Sequence, residues 1–185
     1  MKTVKILFTT LSLIPLVMSS FSQENQKMNM AMGTDGSVQK AVCVLYPTMG
    51  NNASGTIAFI KMNDGIKVVV DMQGLTRGLH GFHVHEYGDC SSADGSSAGG
   101  HFNPGMKSHG GPSEMNRHAG DMGNFEADDK GMAHYEYADH TMALEGPQSI
   151  IGRAVVVHKN ADDMKSQPAG NSGPRIACGV IGIGK

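Results

Sequence analysis

The chain has 185 residues, with 15 Lys and Arg against 17 Asp and Glu and a formal charge of −2 when histidine is neutral. No basic stripe breaks that near-balance, which argues against nucleic acid as a partner. Three cysteines permit one disulfide and leave one thiol over. At the start, Lys2 and Lys5 precede an apolar stretch from Ile6 to Met18, broken only by Thr9, Thr10 and Ser12. Ser20-Phe21-Ser22 then offers small residues for cleavage before Gln23. This pattern predicts a secretion signal over residues 1–22, since the stretch is short for a membrane span. Cleavage would remove two lysines and no acid, leaving a more negative chain the size of one domain. Nothing later is apolar enough to cross a bilayer, so no membrane association is expected after cleavage. Residues 23–37 read as a flexible, polar leader carrying Met28, Met30 and Met32, and residues 38–185 as the folded domain.

Short β-type runs follow. Lys40–Tyr46, Gly55–Met62, Ile66–Met72 and Gly81–His85 form a first half, with Asn63-Asp64-Gly65 as a turn between the second and third. Asn52-Ala53-Ser54 is a glycosylation sequon in a predicted turn, relevant only in a eukaryotic secretory route. From Glu86 to Gly120 the β pattern disappears and Gly, Ser, Pro and His dominate. Strand patterns resume at Asp121–Glu126, Met132–Tyr137 and Ile150–His158, with Asp128-Asp129-Lys130-Gly131 as a turn. A second irregular stretch, Lys159 to Pro174, precedes a last run at Arg175–Ile183. Eight short strands, Gly-rich turns and no convincing helix predict an antiparallel sandwich or barrel. A long structureless loop in a compact domain needs a reason, and bound metal supplies one by organising chain that lacks secondary structure.

The histidines support that reading. In Gly81-Phe82-His83-Val84-His85, residues two apart share a strand face, so His83 and His85 can aim at one point while Phe82 and Val84 turn away. His158 ends another strand. His101, His109, His118 and Asp121 lie in or at the end of the long loop and make a closed N₃O set of the kind tetrahedral zinc takes. Imidazole also suits copper. His101 stands between the two groups, and a deprotonated imidazole can bridge two metals through its two ring nitrogens. His80 reads as a scaffold residue, and His134 and His140 as surface residues. Cys43, in the apolar run Ala41-Val42-Cys43-Val44-Leu45, reads as a buried small hydrophobe, and Cys90 and Cys178, beside the candidate ligands, as the disulfide pair.

From about Lys40 to Lys185 the chain resembles the copper/zinc superoxide dismutase family. The resemblance is carried by Gly78-Leu79-His80-Gly81-Phe82-His83-Val84-His85-Glu86-Tyr87-Gly88-Asp89, Gly100-His101-Phe102-Asn103-Pro104, His109-Gly110-Gly111-Pro112 and Arg117-His118-Ala119-Gly120-Asp121. Gly152-Arg153-Ala154-Val155-Val156-Val157-His158 and Arg175-Ile176-Ala177-Cys178-Gly179-Val180-Ile181-Gly182 complete it. It implies an eight-stranded antiparallel Greek-key sandwich or barrel, of immunoglobulin-like architecture, with two long functional loops. It implies copper held by His83, His85, His101 and His158, and zinc held by His101, His109, His118 and Asp121, one ion of each per subunit. Asp162 matches the family's carboxylate that hydrogen-bonds one ligand of each metal, here His83 and His109. Arg175 matches the arginine that attracts and orients the anion, and Cys90 and Cys178 match the family disulfide.

The implied activity is antioxidant. Superoxide is disproportionated to dioxygen and hydrogen peroxide as copper cycles between Cu(II) and Cu(I). Zinc is structural, and His101 serves as bridging ligand and proton donor. The implied setting is secreted or periplasmic, and the implied partners are superoxide, a second copy of the chain and a copper donor. Soft thioethers at Met28, Met30 and Met32 would suit Cu(I) during loading.

Three departures qualify the resemblance. Cys90 directly follows Asp89, as in many bacterial members, whereas the first strand, Ile150-Ile151-Gly152-Arg153 and the ending Gly179-Val180-Ile181-Gly182-Ile183 look like the animal dimeric type, which predicts a homodimer. The stretch Met164 to Pro174 carries one charge, Lys165, where animal members carry several. Pro168 and Ala169 occupy the region of their channel threonine. Two other readings remain in contention on the sequence. A copper-delivery protein on the same fold would lack a copper ligand or the arginine, and neither is missing. A zinc hydrolase would need an open zinc position beside a general base, and each candidate zinc ligand is already used.

Overall fold

The computed structural model describes residues 36–185. The expected signal at residues 1–22 and the leader methionines Met28, Met30 and Met32 lie outside the described residues. Eight strands appear: β1 Lys40–Pro47, β2 Ser54–Met62, β3 Gly65–Gln73, β4 Gly78–His85, β5 Asp121–Ala127, β6 Ala133–Asp139, β7 Ala154–His158 and β8 Arg175–Ile183. Among the described residues the sole helical piece is a single 3₁₀ turn at Ser96–Ala98, and no helix is long and apolar enough to cross a membrane.

All ladders are antiparallel, in the order β5-β4-β7-β8-β1-β2-β3-β6. The pairs β3–β6, β4–β7 and β1–β8 join strands distant in sequence and make the Greek-key crossovers. The turn at Asp128–Gly131 brings edge strands β5 and β6 side by side, so the sheet is nearly closed. That turn is fixed by Gly131 N–H to Asp128 O at 3.0 Å, with Gly131 at φ +72°. Near closure leaves little open edge.

Strand formation follows from the period-2 pattern. Ala41, Cys43 and Leu45 of β1, Ile57 and Phe59 of β2, and Ile66, Val68, Val70 and Met72 of β3 all point inward and are buried. Phe82 of β4 and Phe125 of β5 meet edge to face at 5.2 Å in the same core. The predicted seventh strand is shortened at its start. Residues 150–153 make a turn, with Arg153 N–H to Ile150 O at 3.1 Å and Gly152 at φ +77°, so β7 begins at Ala154.

The outer face of β4, β7 and β8 is covered as well. Ala154, Val156 and Cys178 pack there against Ala98 and Cys90 of the loop 86–120. Strands buried on both faces read as continuous apolar runs, which explains Ala154-Val155-Val156-Val157. The metal-binding candidates lie between this outer face and the loops.

Candidate metal centre

A three-way backbone knot brings the separate motifs together. Val84 N–H donates to Gly120 O at 2.9 Å, Gly120 N–H to Phe102 O at 2.9 Å, and Phe102 N–H to Val84 O at 2.8 Å. His85, His101 and Asp121 each stand one residue from this knot. A Cβ on Gly120 would lie 2.2 Å from Val84 O, so only glycine permits the approach. His101 also forms an isolated antiparallel bridge with His85, and His158 pairs with Arg175 across the β7–β8 ladder at a bulge.

All six predicted histidines and Asp121 converge in two groups, His83, His85, His101 and His158 in one and His101, His109, His118 and Asp121 in the other. In each group the facing N or O atoms all lie within 4.8 Å of one another. Asp121 Oδ1 is 2.8 Å from His101 Nδ1, 3.0 Å from His109 Nδ1 and 3.1 Å from His118 Nδ1. Four atoms set about 2.0–2.1 Å from one ion at tetrahedral angles stand roughly 3.3 Å apart, so the second group is already near the spacing zinc requires.

For His83, His85, His109 and His158 the ring nitrogen that faces away from the group is engaged. His83 Nε2 and His109 Nε2 meet Asp162 Oδ2 at 2.8 Å and Oδ1 at 2.9 Å. His85 Nδ1 donates to Gly99 O at 2.9 Å and His158 Nδ1 to Gly173 O at 3.0 Å. What remains is telling. Of eight buried side-chain N or O atoms without a hydrogen bond among the described residues, five are His83 Nδ1, His85 Nε2, His101 Nε2, His109 Nδ1 and His158 Nε2. Buried polar atoms are rarely left unpaired, and five aimed inward fit metal ions. His109 Nδ1 is near Asp121 Oδ1 yet is not angled for a hydrogen bond, as expected when both atoms point at a common centre.

Protonation favours ligation in the first group. Burial pushes His83 down to about 3 and His158 to about 4, against the contacts with Asp162 and Gly173 that favour the proton. Burial also lowers His85 and His101. These rings are neutral at pH 7 and carry free lone pairs. Burial likewise works against the proton on His109, but Asp121 and Asp162 outweigh it and raise that ring to about 9, so ligation there releases a proton. For Asp121 and Asp162, burial opposes ionisation, and the histidine contacts overcome it and hold both carboxyls well below their usual range.

Several supports were not legible in the sequence. Arg117, buried, donates to the carbonyls of His118 and Asp121, each at 3.0 Å, and pairs with Asp139 at 2.6 Å. Asn124 of β5 makes a two-point contact with the Asp162 backbone, at 2.9 Å and 2.7 Å. Gly99 O accepts from both His85 Nδ1 and Arg175 Nη2, at 2.9 and 2.7 Å, while Arg175 Nη1 reaches Gly95 O at 2.7 Å. His80 meets the carbonyls of His158 and Thr76, both at 2.8 Å, as the expected scaffold residue. His134 and His140 are exposed, as expected. Cys90 and Cys178 are joined by a disulfide, and Cys43 is free and buried.

Two small depressions lie at the rim of the centre. A cavity of about 170 Å³ opens beside His158, lined by Gln167, Pro168, Ala169 and Asn171, and Arg175 lines a neighbouring depression. At about 30 Å³ per water, that room suits a small ion. A larger cavity, about 890 Å³, lies elsewhere, between β2, β3 and the β5–β6 turn, and none of the candidate ligands lines it.

Comparison with known proteins agrees with this geometry. The family described as copper/zinc superoxide dismutase matches residues 53–181. An extracellular superoxide dismutase (Cu-Zn) of Brugia pahangi is 41% identical over 175 aligned residues, covering 88% of this chain and 87% of its own length. The crystal structure of the clock protein EA4 is 43% identical, with a TM-score of 0.72, and the match covers 78% of this chain and 94% of that one. With the match spanning most of the folded domain and the two ligand groups in place, this chain belongs to the copper/zinc superoxide dismutase family.

Proposed function

We propose that the chain disproportionates superoxide, with His83 Nδ1, His85 Nε2, His101 Nε2 and His158 Nε2 holding copper and His101 Nδ1, His109 Nδ1, His118 Nδ1 and Asp121 Oδ1 holding zinc. The observation that carries this reading is the single ring of His101, which offers one nitrogen to each group while Asp162 orients a ring from either side. When bound, copper supplies one-electron exchange, oxidising one superoxide to dioxygen and reducing the next toward hydrogen peroxide, while redox-inert zinc supplies charge and fixed geometry.

The chain's own groups do the rest. Arg175, locked on Gly95 O and Gly99 O and paired with His158 across the β7–β8 ladder, sets a fixed cation beside the copper group. Local field rather than net charge steers a small anion, so an acidic chain still attracts superoxide. His101 Nε2 takes up a proton when it is free and hands it to the reduced anion. Two superoxides and two protons thus give one dioxygen and one hydrogen peroxide. Asp162 holds His83 and His109 in the ring orientations that ligation needs.

The chain is exported in this reading, secreted or periplasmic. The signal pattern of residues 1–22, the disulfide and the extracellular relative support export. It works as a homodimer through the outer face of β1 and β8, where Val44, Tyr46, Met49 and Val180 are exposed together along a groove. A copper donor completes the set of partners. The deciding experiment combines metal analysis of the purified protein with a superoxide-decay assay before and after chelation. One copper and one zinc per chain, with activity lost on chelation and restored by copper, is expected. A fully loaded protein that leaves superoxide untouched would overturn the reading.

A further inference from the structure

His109 is held differently from every other candidate ligand. His83, His85, His158 and Asp121 sit on strands, and His101 on a β-bridge with His85. His118 has its amide on Asp121 Oδ2 and its carbonyl on Arg117 and on the Asp121 amide. His109 lies in irregular chain, and among the described residues both of its backbone groups are satisfied by one side chain. His109 N–H donates to Gln167 Oε1 at 2.8 Å, and Gln167 Nε2 donates to His109 O at 2.9 Å. Gln167 Nε2 has a second contact, with Lys165 O at 3.2 Å.

The loop 159–174 therefore grips His109 at both ends, at the ring through Asp162 Oδ1 and at the backbone through Gln167. Asn124 fixes the Asp162 backbone by the same two-point device, which ties the ring end of the grip to β5. The fit is close, since a Cβ on Gly170 would lie 1.8 Å from Asp162 Oδ1 and 2.7 Å from His109 Nε2. A side chain held at its tip alone can still slide along the direction of that contact. A second grip on its backbone removes that freedom and sets Nδ1 at a defined distance from Asp121 Oδ1.

We propose that Gln167 is a positioning residue for zinc, acting through the backbone of His109. The proposal rests on the assignment of zinc to His101, His109, His118 and Asp121. A primary amide is required because it must accept from N–H and donate to C=O of the same residue. Alanine offers neither contact, and glutamate at neutral pH sets a carboxylate oxygen against the His109 carbonyl.

The test uses the exported, disulfide-bonded protein stripped of metal. Zinc affinity is measured by competition with a chromophoric chelator, cobalt(II) serves as a visible probe of four-coordinate geometry, and copper affinity is measured on zinc-saturated protein. Gln167→Ala and Gln167→Glu are expected to weaken zinc about tenfold, the lower end for an outer partner of a ligand. Their cobalt bands are expected to broaden, and copper affinity is expected to stay within twofold of the parent. Parental zinc affinity in both variants overturns the proposal. So does an equal loss of zinc and copper, which would mean general loosening of the loop. Asp121→Ala separates the two levels of inference. If it loses zinc while the Gln167 variants do not, the grip alone fails; if it keeps parental zinc affinity, the zinc assignment fails and the proposal falls with it.

Discussion

Replacing Cys90 and Cys178 together by alanine tests both the stability and the site architecture. The bridge closes a loop with a sequence separation of 88 residues. Chain-entropy reasoning gives such a loop about 4–5 kcal/mol of stabilisation, acting mainly by restricting the unfolded chain. For a domain of this size that corresponds to a fall in Tm of roughly 10–18 °C. Cys43 can stay in place, because it is buried and burial pushes its thiol up to about 12, leaving no thiolate to confuse the comparison. The bridge also has a local task. Cys90 lies in the loop whose Gly95 and Gly99 carbonyls hold Arg175, and Cys178 lies on β8 three residues beyond that arginine. Releasing it frees the carbonyl anchors as well as the chain. The assay is urea unfolding of metal-free protein, parent against double variant, with superoxide decay of the metal-loaded forms in parallel. The variant is expected to lose several kcal/mol and to show a slower, less salt-sensitive rate. A stability loss under about 1 kcal/mol would refute the chain-entropy account, and an unchanged rate and salt profile would refute the link to Arg175.

Three further outcomes are expected. His83→Ala removes copper and activity yet leaves zinc, because none of the four groups at the zinc point belongs to it; metal analysis with a superoxide assay decides, and full activity would contradict the copper assignment. Arg175→Ala keeps both metals and lowers the rate roughly tenfold, at the low end of electrostatic steering, with a flattened ionic-strength profile; an unchanged profile would remove its steering role. In metal-free protein, acid destabilises through His83, His85, His101 and His158, whose folded-state values lie below the ordinary 6.5. The unfolded chain then binds more protons, so stability falls as pH drops from about 6.5 toward 4. His109, raised to about 9, acts the other way, with stability fully present below 6.5 and lost as pH rises through 9. Urea midpoints measured across pH 4–10 should therefore peak between those limits, and a midpoint rising steadily toward acid would contradict this assignment.

The strands were legible because burial alternates with the pleat. Val68 and Val70 announce an inward face by sequence alone, and His83 and His85 share a face for the same geometric reason. The turn at Asn63–Gly65 was likewise written locally, and Met62 does pair with Gly65 across it. Ile150–Arg153 was not, because apolar side chains there pack a turn instead of extending β7.

Residue type and local spacing thus determined the β architecture and pointed to the candidate ligand set, since imidazoles on a pleat and a closed N₃O group depend on short-range chemistry. Tertiary structure alone decided which ring nitrogen faces inward, that Gly99 serves His85 and Arg175 at once, and that Gln167 and Arg117 brace His109 and His118. The contacts from Arg175 to Gly99 and from His109 to Gln167 join groups 76 and 58 residues apart. Their partners are chosen by how the barrel brings loops together, for which no local periodicity exists to be read.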